Sequence, residues 1–483
     1  MHRAERVIVG LPPEPEQTLT MPTKSPVQRM IFQLGTNNWQ RADRDGNLEF
    51  APGSGVLHEA HHRTYNAMPG TVCYSIYPSE GQPQPTADDI EQHFRVFELG
   101  HQIPICESVS PVSSKRWHGF SEAEFEAYRD RLAREVFDYM VLAEQEQGTH
   151  FTMVISHHCF LNPLVMRDVL KRRADELGRG ETPHFNFCHG TSLKMFAHEL
   201  RGDNPAEFPM RFHKMMIEEN VFGDGGITGA FAISTDQKAK AKAIFPTFPD
   251  DRLVVSPNGV NPQIFYPRVG HERKSIDTLL AEHVPHKGEV TRSYAKAVVF
   301  IGKFANWKRL DAVLRAAARY QEEEGDDVCF IVLGSGPDDA VALYHGLHDS
   351  LGLQHTFFLG PKPQPVLAEI CAAASVGVFP SYAEPFGMVF VECMACGTPV
   401  IGANSGGPRD FVTDAVGGLF AEPAERYDWA AITDSVFTLV KAAIDDDWKS
   451  SKGPACTALA QAEYSVTKQC HQLLAGADAL VAQ

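Results

Sequence analysis

Short apolar runs alternate with longer segments in which apolar residues recur every three or four positions. In the first half the runs Met30–Leu34, Thr71–Tyr77, Phe151–Ser156, Phe185–Cys188, Ala230–Ser234 and Leu253–Ser256 read as strands buried on both faces. Between the second and third lies the clearest helix. Ser121 and Glu124 make a capping box, and Phe125, Tyr128, Leu132, Val136 and Tyr139 follow at helical spacing. Strand, helix and strand in repeated order imply a mainly parallel, doubly wound α/β sheet. A second series has the same rhythm: Ala297–Ile301, Val328–Leu333, Thr356–Leu359, Val376–Phe379 and Pro399–Ile401.

The pattern divides the chain. Residues 1–28 are rich in Pro, Glu and Thr without periodicity and read as a mobile tail; 29–270 form a first Rossmann-like domain. Residues 271–294 turn polar and aperiodic and read as a linker, 295–458 form a second such domain, and 459–483 are a helix placed to cross back to the first. No internal repeat of 20 to 50 residues is visible, and the acidic runs Glu322-Glu323-Glu324 and Asp445-Asp446-Asp447 read as solvated faces.

Composition adds constraints. The 483 residues suit two to three domains at about 150 residues each, and 43% hydrophobic with 22% charged is an ordinary globular balance. A formal net charge of −17 argues against a broad nucleic-acid footprint and tilts any acceptor toward a soluble molecule over a membrane lipid. The apolar stretch Val7–Leu11 is too short for a signal-peptide core, and no run approaches the roughly 18 residues of a membrane span. Ten sparse cysteines suggest buried thiols in a reducing compartment, and the chain is expected to be cytoplasmic.

In open parallel sheets ligands bind beyond the carboxyl ends of the strands. After Phe379 the chain reads Pro380-Ser381-Tyr382-Ala383-Glu384-Pro385-Phe386-Gly387 and enters an apolar helix that carries Glu392, placed two helical turns along it. A carboxylate there needs a partner, and a ribose diol offers two donors to its two oxygens. The amides around Phe386, Gly387 and Met388 open that helix, so phosphate can meet free N–H groups and a positive dipole. After Ile301, Gly302 to Lys308 sets Lys303 and Lys308 beyond another strand, placed to neutralise a departing diphosphate.

These motifs, with Gly397-Thr398-Pro399-Val400-Ile401, Gly406-Gly407 and Pro257-Asn258-Gly259-Val260 followed by Phe265 and Pro267, resemble the retaining glycosyltransferases of family 4. The resemblance is strongest over about Ala297–Glu422. It implies a GT-B fold, two Rossmann-like domains facing a cleft, with a nucleotide-sugar donor and a small-molecule or carbohydrate acceptor. It also implies no metal, and no cofactor beyond the donor itself. Gly53 and Gly55 would form the loop approaching the donor diphosphate, His189 would lie beside the transferred sugar, and Lys303 and Lys308 would hold the diphosphate. Glu392 would bind the ribose, Glu384 would stand on the sugar's far side, and Gly360 would line the base. The catalytic group would then be His189, Glu384 and Lys308. The family carries Arg where this chain has Lys303, which supplies charge without a bidentate fork. A polar insertion, Asn37–Phe50, precedes the glycine loop. Other reactions known on this scaffold, phosphorolysis and nucleotide-sugar epimerisation, are the nearest alternatives.

His58-Glu59-Ala60-His61-His62 also matches H-E-x-x-H, the pattern of a zinc hydrolase. Its milder reading sets His58 and His62, with His157 and His158 after the third strand, on the acceptor side of the cleft. Cys393 and Cys396 share one apolar helix with no second pair, which favours core packing over metal or redox chemistry.

Overall fold

The computed structural model describes residues 27–35, 40–42, 48–50, 56–79, 94–98, 117–201, 211–223, 226–285, 290, 292–325 and 327–483. Gly53, Gly55 and nearly all of the tail fall outside these. The first domain is built on a seven-stranded sheet of β1 (Arg29–Leu34), β2 (Thr71–Ser79), β3 (Phe94–Glu98), β4 (Met153–His157), β5 (His184–Cys188), β6 (Gly229–Ala232) and β7 (Leu253–Val255). Their spatial order is β3-β2-β1-β4-β5-β6-β7 and every pairing is parallel. The second domain carries β8 (Lys296–Ile301), β9 (Val328–Leu333), β10 (Thr356–Gly360), β11 (Val376–Phe379), β12 (Val400–Ala403) and β13 (Gly417–Phe420). Their order is β10-β9-β8-β11-β12-β13, again all parallel, and helices α7 (Leu310–Glu323), α8 (Asp338–Ser350) and α9 (Gln364–Ala373) connect β8 to β9, β9 to β10 and β10 to β11. Part of the polar insertion is a short antiparallel pair, Gln40–Ala42 with Leu48–Phe50.

Local chemistry accounts for the elements that frame the cleft. Helix α1 (Val56–Asn66) precedes β2. Helix α2 (Glu122–Gln147) starts at the capping box: Ser121 Oγ accepts from Glu124 N, and Ser121 N donates to Glu124 Oε2 at 2.7 Å. It ends at Gly148, which takes the left-handed conformation a side chain disfavours. Phe125, Tyr128, Leu132, Val136 and Tyr139 are all buried, so the apolar stripe faces the core. Against it packs α3 (Leu161–Leu177), tied down by a fully buried Arg173–Glu144 ion pair. Helix α4 (Gly190–Arg201) follows β5, and α5 (Thr235–Ile244) follows β6, capped by Ser234.

Two departures from the sequence reading concern connections. The segment 271–294 is not polar coil throughout, because Ile276–His283 is a helix, α6, that buries Ile276, Leu279 and Leu280 at i, i+3 and i+4. Three apolar positions in a charged stretch suffice for two turns when a core receives them. The tail is not one helix from 459: Trp448–Glu463 belongs to the second domain, and after Tyr464 a separate helix, Val466–Val481, packs on the first. At the crossing, Val260 N donates to Tyr464 O and Val466 N to Val260 O. Gly259 is required there, since a Cβ would sit 2.5 Å from Val466 Cα. Gln469 then ties the helix down: its Oε1 accepts from Gly259 N at 2.9 Å and lies 2.9 Å from His61 Nε2.

Gln469→Ala leaves these buried groups unpaired, and the expected loss is about 2 kcal/mol of stability. A denaturant titration with an unshifted midpoint would contradict this assignment.

Candidate functional site

The carboxyl ends of the two sheets face one another. On the second domain, β11 ends at Phe379 and the following loop is pinned from several sides. Ala383 N donates to Ser405 Oγ at 2.8 Å, and Gly407 N donates to Glu384 O at 2.8 Å. Gly406 has φ of +71°, and a Cβ there would lie 2.2 Å from Glu384 O, so the loop closes only over glycine. Gly387, at φ +100°, starts helix α10 (Met388–Ala395).

Glu384 is 8% exposed and forms an ion pair with Lys308, Nζ to Oε2 at 2.7 Å. Lys308 comes from the Gly302–Lys308 loop after β8 and lies over the Trp307 ring, 4.3 Å from its centroid. Beside it, Arg309 is fully buried in the left-handed region and forks onto Glu422, at 3.1 and 2.8 Å. That fork anchors the loop carrying Lys308. Lys303 is exposed on the same loop.

Glu392 lies five residues into α10, a little over one turn and nearer its N-terminus than the two turns read from sequence, because Gly387 delays the helix start. It is 8% exposed, has no ion-pair partner among the described residues, and burial lifts its carboxyl to about 7. Phe386 points into the core against Phe411 and Tyr464, so only its backbone is available to a ligand; Met388 is half-buried. Gly360 ends β10 in the left-handed region, with open space where a side chain would be. Gly334 and Gly336, the turn after β9, serve packing: a Cβ at Gly334 would meet Gly302 O and one at Gly336 would meet Phe304 O.

Across the cleft stands a cluster of histidines. His157 Nδ1 and His189 Nε2 are 3.0 Å apart, the His58 and His157 rings 4.0 Å, and the His158 and His189 rings 4.6 Å. His61 joins from α1, 6.0 Å from His157. Burial keeps these rings neutral: His58, His157 and His189 fall well below the usual imidazole range, and His61 and His158 fall to about 4. His58 Nδ1, His157 Nε2 and His158 Nδ1 are buried without a hydrogen-bond partner. Such orphaned groups call for a polar ligand.

The zinc-hydrolase pattern does not assemble. Glu59 is held by Arg63 at 2.6 Å, and His62 bonds Ser75 Oγ at 2.7 Å and lies 3.2 Å from Asn66 Nδ2, so the motif's two end histidines serve different neighbours. The nitrogens of His58, His158 and His189 all lie within 4.8 Å of one another, close enough to share a ligand or an ion, but this set leaves out Glu59 and His62 and so is not the H-E-x-x-H arrangement.

The two halves touch directly. A Cβ on Gly190 would lie 2.6 Å from Pro385, so the residue after His189 must be glycine for that turn to meet the Glu384 loop. Ser234 Oγ donates to Pro385 O at 2.7 Å, Thr235 N donates to Asp410 Oδ2 at 2.8 Å, and Lys194 of α4 lies over the Trp307 ring at 4.4 Å. The sequence reading did not single out His61, Lys194, Trp307 or Arg309 as site residues. Lys194 carried a signal, four residues beyond Gly190 at the start of α4.

Two Rossmann-like domains with this strand order, closed by a helix that crosses back, define a GT-B architecture. Residues 286–443 match the family Glycosyl transferases group 1. The chain is 31% identical over 286 residues to a D-inositol 3-phosphate glycosyltransferase of Corynebacterium aurimucosum, covering 58% of this chain and 62% of that relative. It is 28% identical over 365 residues to the enzyme of that name from Kribbella flavida, covering 73% and 77%. The chain thus spans about three fifths of the first of these relatives. In structure it resembles sucrose-phosphate synthase of Thermosynechococcus elongatus, TM-score 0.63 at 17% identity, over 94% of this chain and 100% of that one. It also resembles Anabaena HepE in complex with UDP-glucose, TM-score 0.59 at 16% identity, over 94% and 100%. No described helix is long and apolar enough to cross a membrane.

The neutral histidines set an acid limit on stability. Their folded-state pKa values lie below the unfolded value of 6.5, so as pH falls from about 6.5 toward 4 the unfolded chain takes up protons the folded one refuses. Stability is expected to fall across that window, and His157→Gln should make the decline shallower by about 1 kcal/mol per pH unit. Parallel slopes for the two proteins in denaturant titrations from pH 4 to 7 would contradict this.

Proposed function

We propose that the protein is a retaining glycosyltransferase of family 4 that moves a sugar from a nucleotide-diphosphate donor to a hydroxyl of a soluble, carbohydrate-like acceptor in the cytoplasm. It uses no metal and no cofactor beyond the donor. The observation that carries this reading is the arrangement of α10. Its N-terminus follows the loop that carries the Lys308–Glu384 pair, it holds the unpartnered carboxylate of Glu392, and the His189-Gly190 turn of the histidine cluster meets that loop at Pro385.

On this reading Glu392 accepts the two ribose hydroxyls, and the free amides of Gly387 and Met388 with Lys303 and Lys308 hold the diphosphate. Gly53 and Gly55 would approach it from the other domain, and Gly360 would border the base. The sugar lies between Glu384 and His189, with His58, His157 and His158 toward the acceptor. The acceptor hydroxyl attacks the anomeric carbon from the leaving group's own face. The bond to the diphosphate oxygen breaks as the new glycosidic bond forms, and that oxygen takes the acceptor proton. Lys308 is paired with Glu384, so donor binding draws the ammonium toward phosphate and leaves the carboxylate facing developing positive charge on the sugar. Neutral imidazoles suit this arrangement, since a cation beside that sugar would oppose it. The D-inositol 3-phosphate glycosyltransferase relatives favour a polar, polyhydroxylated acceptor.

Lys308→Ala is expected to lower kcat about 10²- to 10³-fold with the fold retained, measured as transfer from UDP-, GDP- and ADP-glucose to an inositol or sugar-phosphate panel. Unchanged turnover would remove Lys308 from the site; sugar release that depends on inorganic phosphate, or donor isomerisation without acceptor, would replace transfer by phosphorolysis or epimerisation. Glu392 makes a separate prediction. An ionised carboxylate binds the diol best, so nucleoside affinity should rise as pH increases through about 7, and Glu392→Gln should bind more weakly without that rise. A Glu392→Gln protein with wild-type affinity and pH profile for uridine or adenosine would exclude the ribose role.

A further inference from the structure

Away from the cleft, the second domain carries a cavity of about 420 Å³ behind α10. Its walls come from the chain leaving the first domain, Pro267 to Arg273, and from the helix Trp448–Glu463 that returns toward it. Three cationic side chains, Arg268, Arg273 and Lys449, line it together with Thr457 and Gln461, and no acidic residue does. In a chain with net charge −17, three converging cations without a carboxylate are an unusual placement.

Each cation is short of a partner of opposite charge. Arg268 Nη1 is buried with no hydrogen-bond partner; the same guanidinium stacks on Tyr266, 4.7 Å from the ring centroid, and Nη2 reaches Ile264 O only at 3.5 Å. Lys449 Nζ meets the neutral Thr398 Oγ1, and burial together with the nearby charge of Arg273 pulls its ammonium down to about 8. Arg273 is exposed at the mouth. Among the described residues none of the three has a carboxylate within ion-pair range.

We propose that this cavity binds a small phosphate-bearing anion, with Arg268 and Lys449 as its inner ligands, Arg273 closing the mouth, and Thr457 and Gln461 facing any attached hydroxyls. A guanidinium fork with an ammonium beside it matches the oxygens of a phosphate monoester. The cavity volume exceeds what inorganic phosphate fills, leaving room for a small organic group. Because the site joins the two segments that cross between the domains, its occupancy ties them to each other and to the back of α10.

The test is calorimetric titration of the full chain with inorganic phosphate and, separately, with glycerol phosphate, at ionic strength matched by chloride. Two classes of binding are expected, one at this cavity and one at the donor site. In Arg268→Gln and Arg273→Gln the first class should weaken at least tenfold; in Lys308→Ala it should stay within twofold while the second is lost. Tighter binding of glycerol phosphate than of phosphate would identify an organic monoester as the occupant, and the reverse would identify free phosphate. Arg273 is exposed, so its variant keeps the fold if Arg268→Gln does not. Loss of all phosphate binding in Lys308→Ala, or full retention in Arg273→Gln, would overturn the proposal. Neither result depends on whether sugar transfer is detected.

Discussion

The cleft depends on how closely one backbone turn approaches another. His189-Gly190 and Glu384-Pro385 come from different sheets, and they meet because position 190 has no side chain to hold Pro385 away. The same condition recurs within the second domain, where Gly406 lets Glu384 settle against it, and at the crossing, where Gly259 lets Val466 pass. Strain gathers at this seam. Of the four non-glycine residues in the left-handed region among those described, His158, Arg309 and Ala383 are adjacent to or part of the cleft machinery, and each is held by its neighbours. Arg309 shows how: its fork to Glu422 fixes the residue next to Lys308.

The two walls handle charge in opposite ways. The second-domain wall pairs Lys308 with Glu384 and reserves one carboxylate, Glu392, that burial lifts to about 7. The first domain carries its polar groups as neutral imidazoles crowded together, each disfavouring protonation of the next. The histidine wall also gives the lysine-bearing wall a neutral neighbour, so the lysine charges are not opposed.

Much of this was legible in the sequence, because buried parallel strands are continuous apolar runs and the ligand loops follow them directly. Both sheets, the α2 capping box and the loop with Glu384 and Glu392 were placed that way. What escaped had physical reasons. Strand β13 begins Gly417-Gly418, which looks like a turn; the glycines are there because a Cβ at 417 would strike Val400 O. Strand β3 has no helix-strand rhythm around it. Glu392 was set too far along its helix because a left-handed cap cannot be told from a first helical residue by hydrophobic spacing. His61 looked like part of a chance motif, and its role follows only from Gln469, 408 residues away. Helix α6 was hidden in a charged segment with three apolar positions.

The crossing helix has a further consequence, for the order in which the protein can be completed. Arg29 of the first strand pairs with Asp478 at 2.7 Å, and Gly476 and Leu480 lie against Phe231 and Gly229 of the same sheet. During synthesis that sheet face is made hundreds of residues before the helix that covers it. The nascent first domain therefore leaves the ribosome with an apolar stripe uncovered, and must wait for the whole second domain before it is sealed. The two domains then mature in the reverse of their coding order: the second can close on its own core, while the first is finished last.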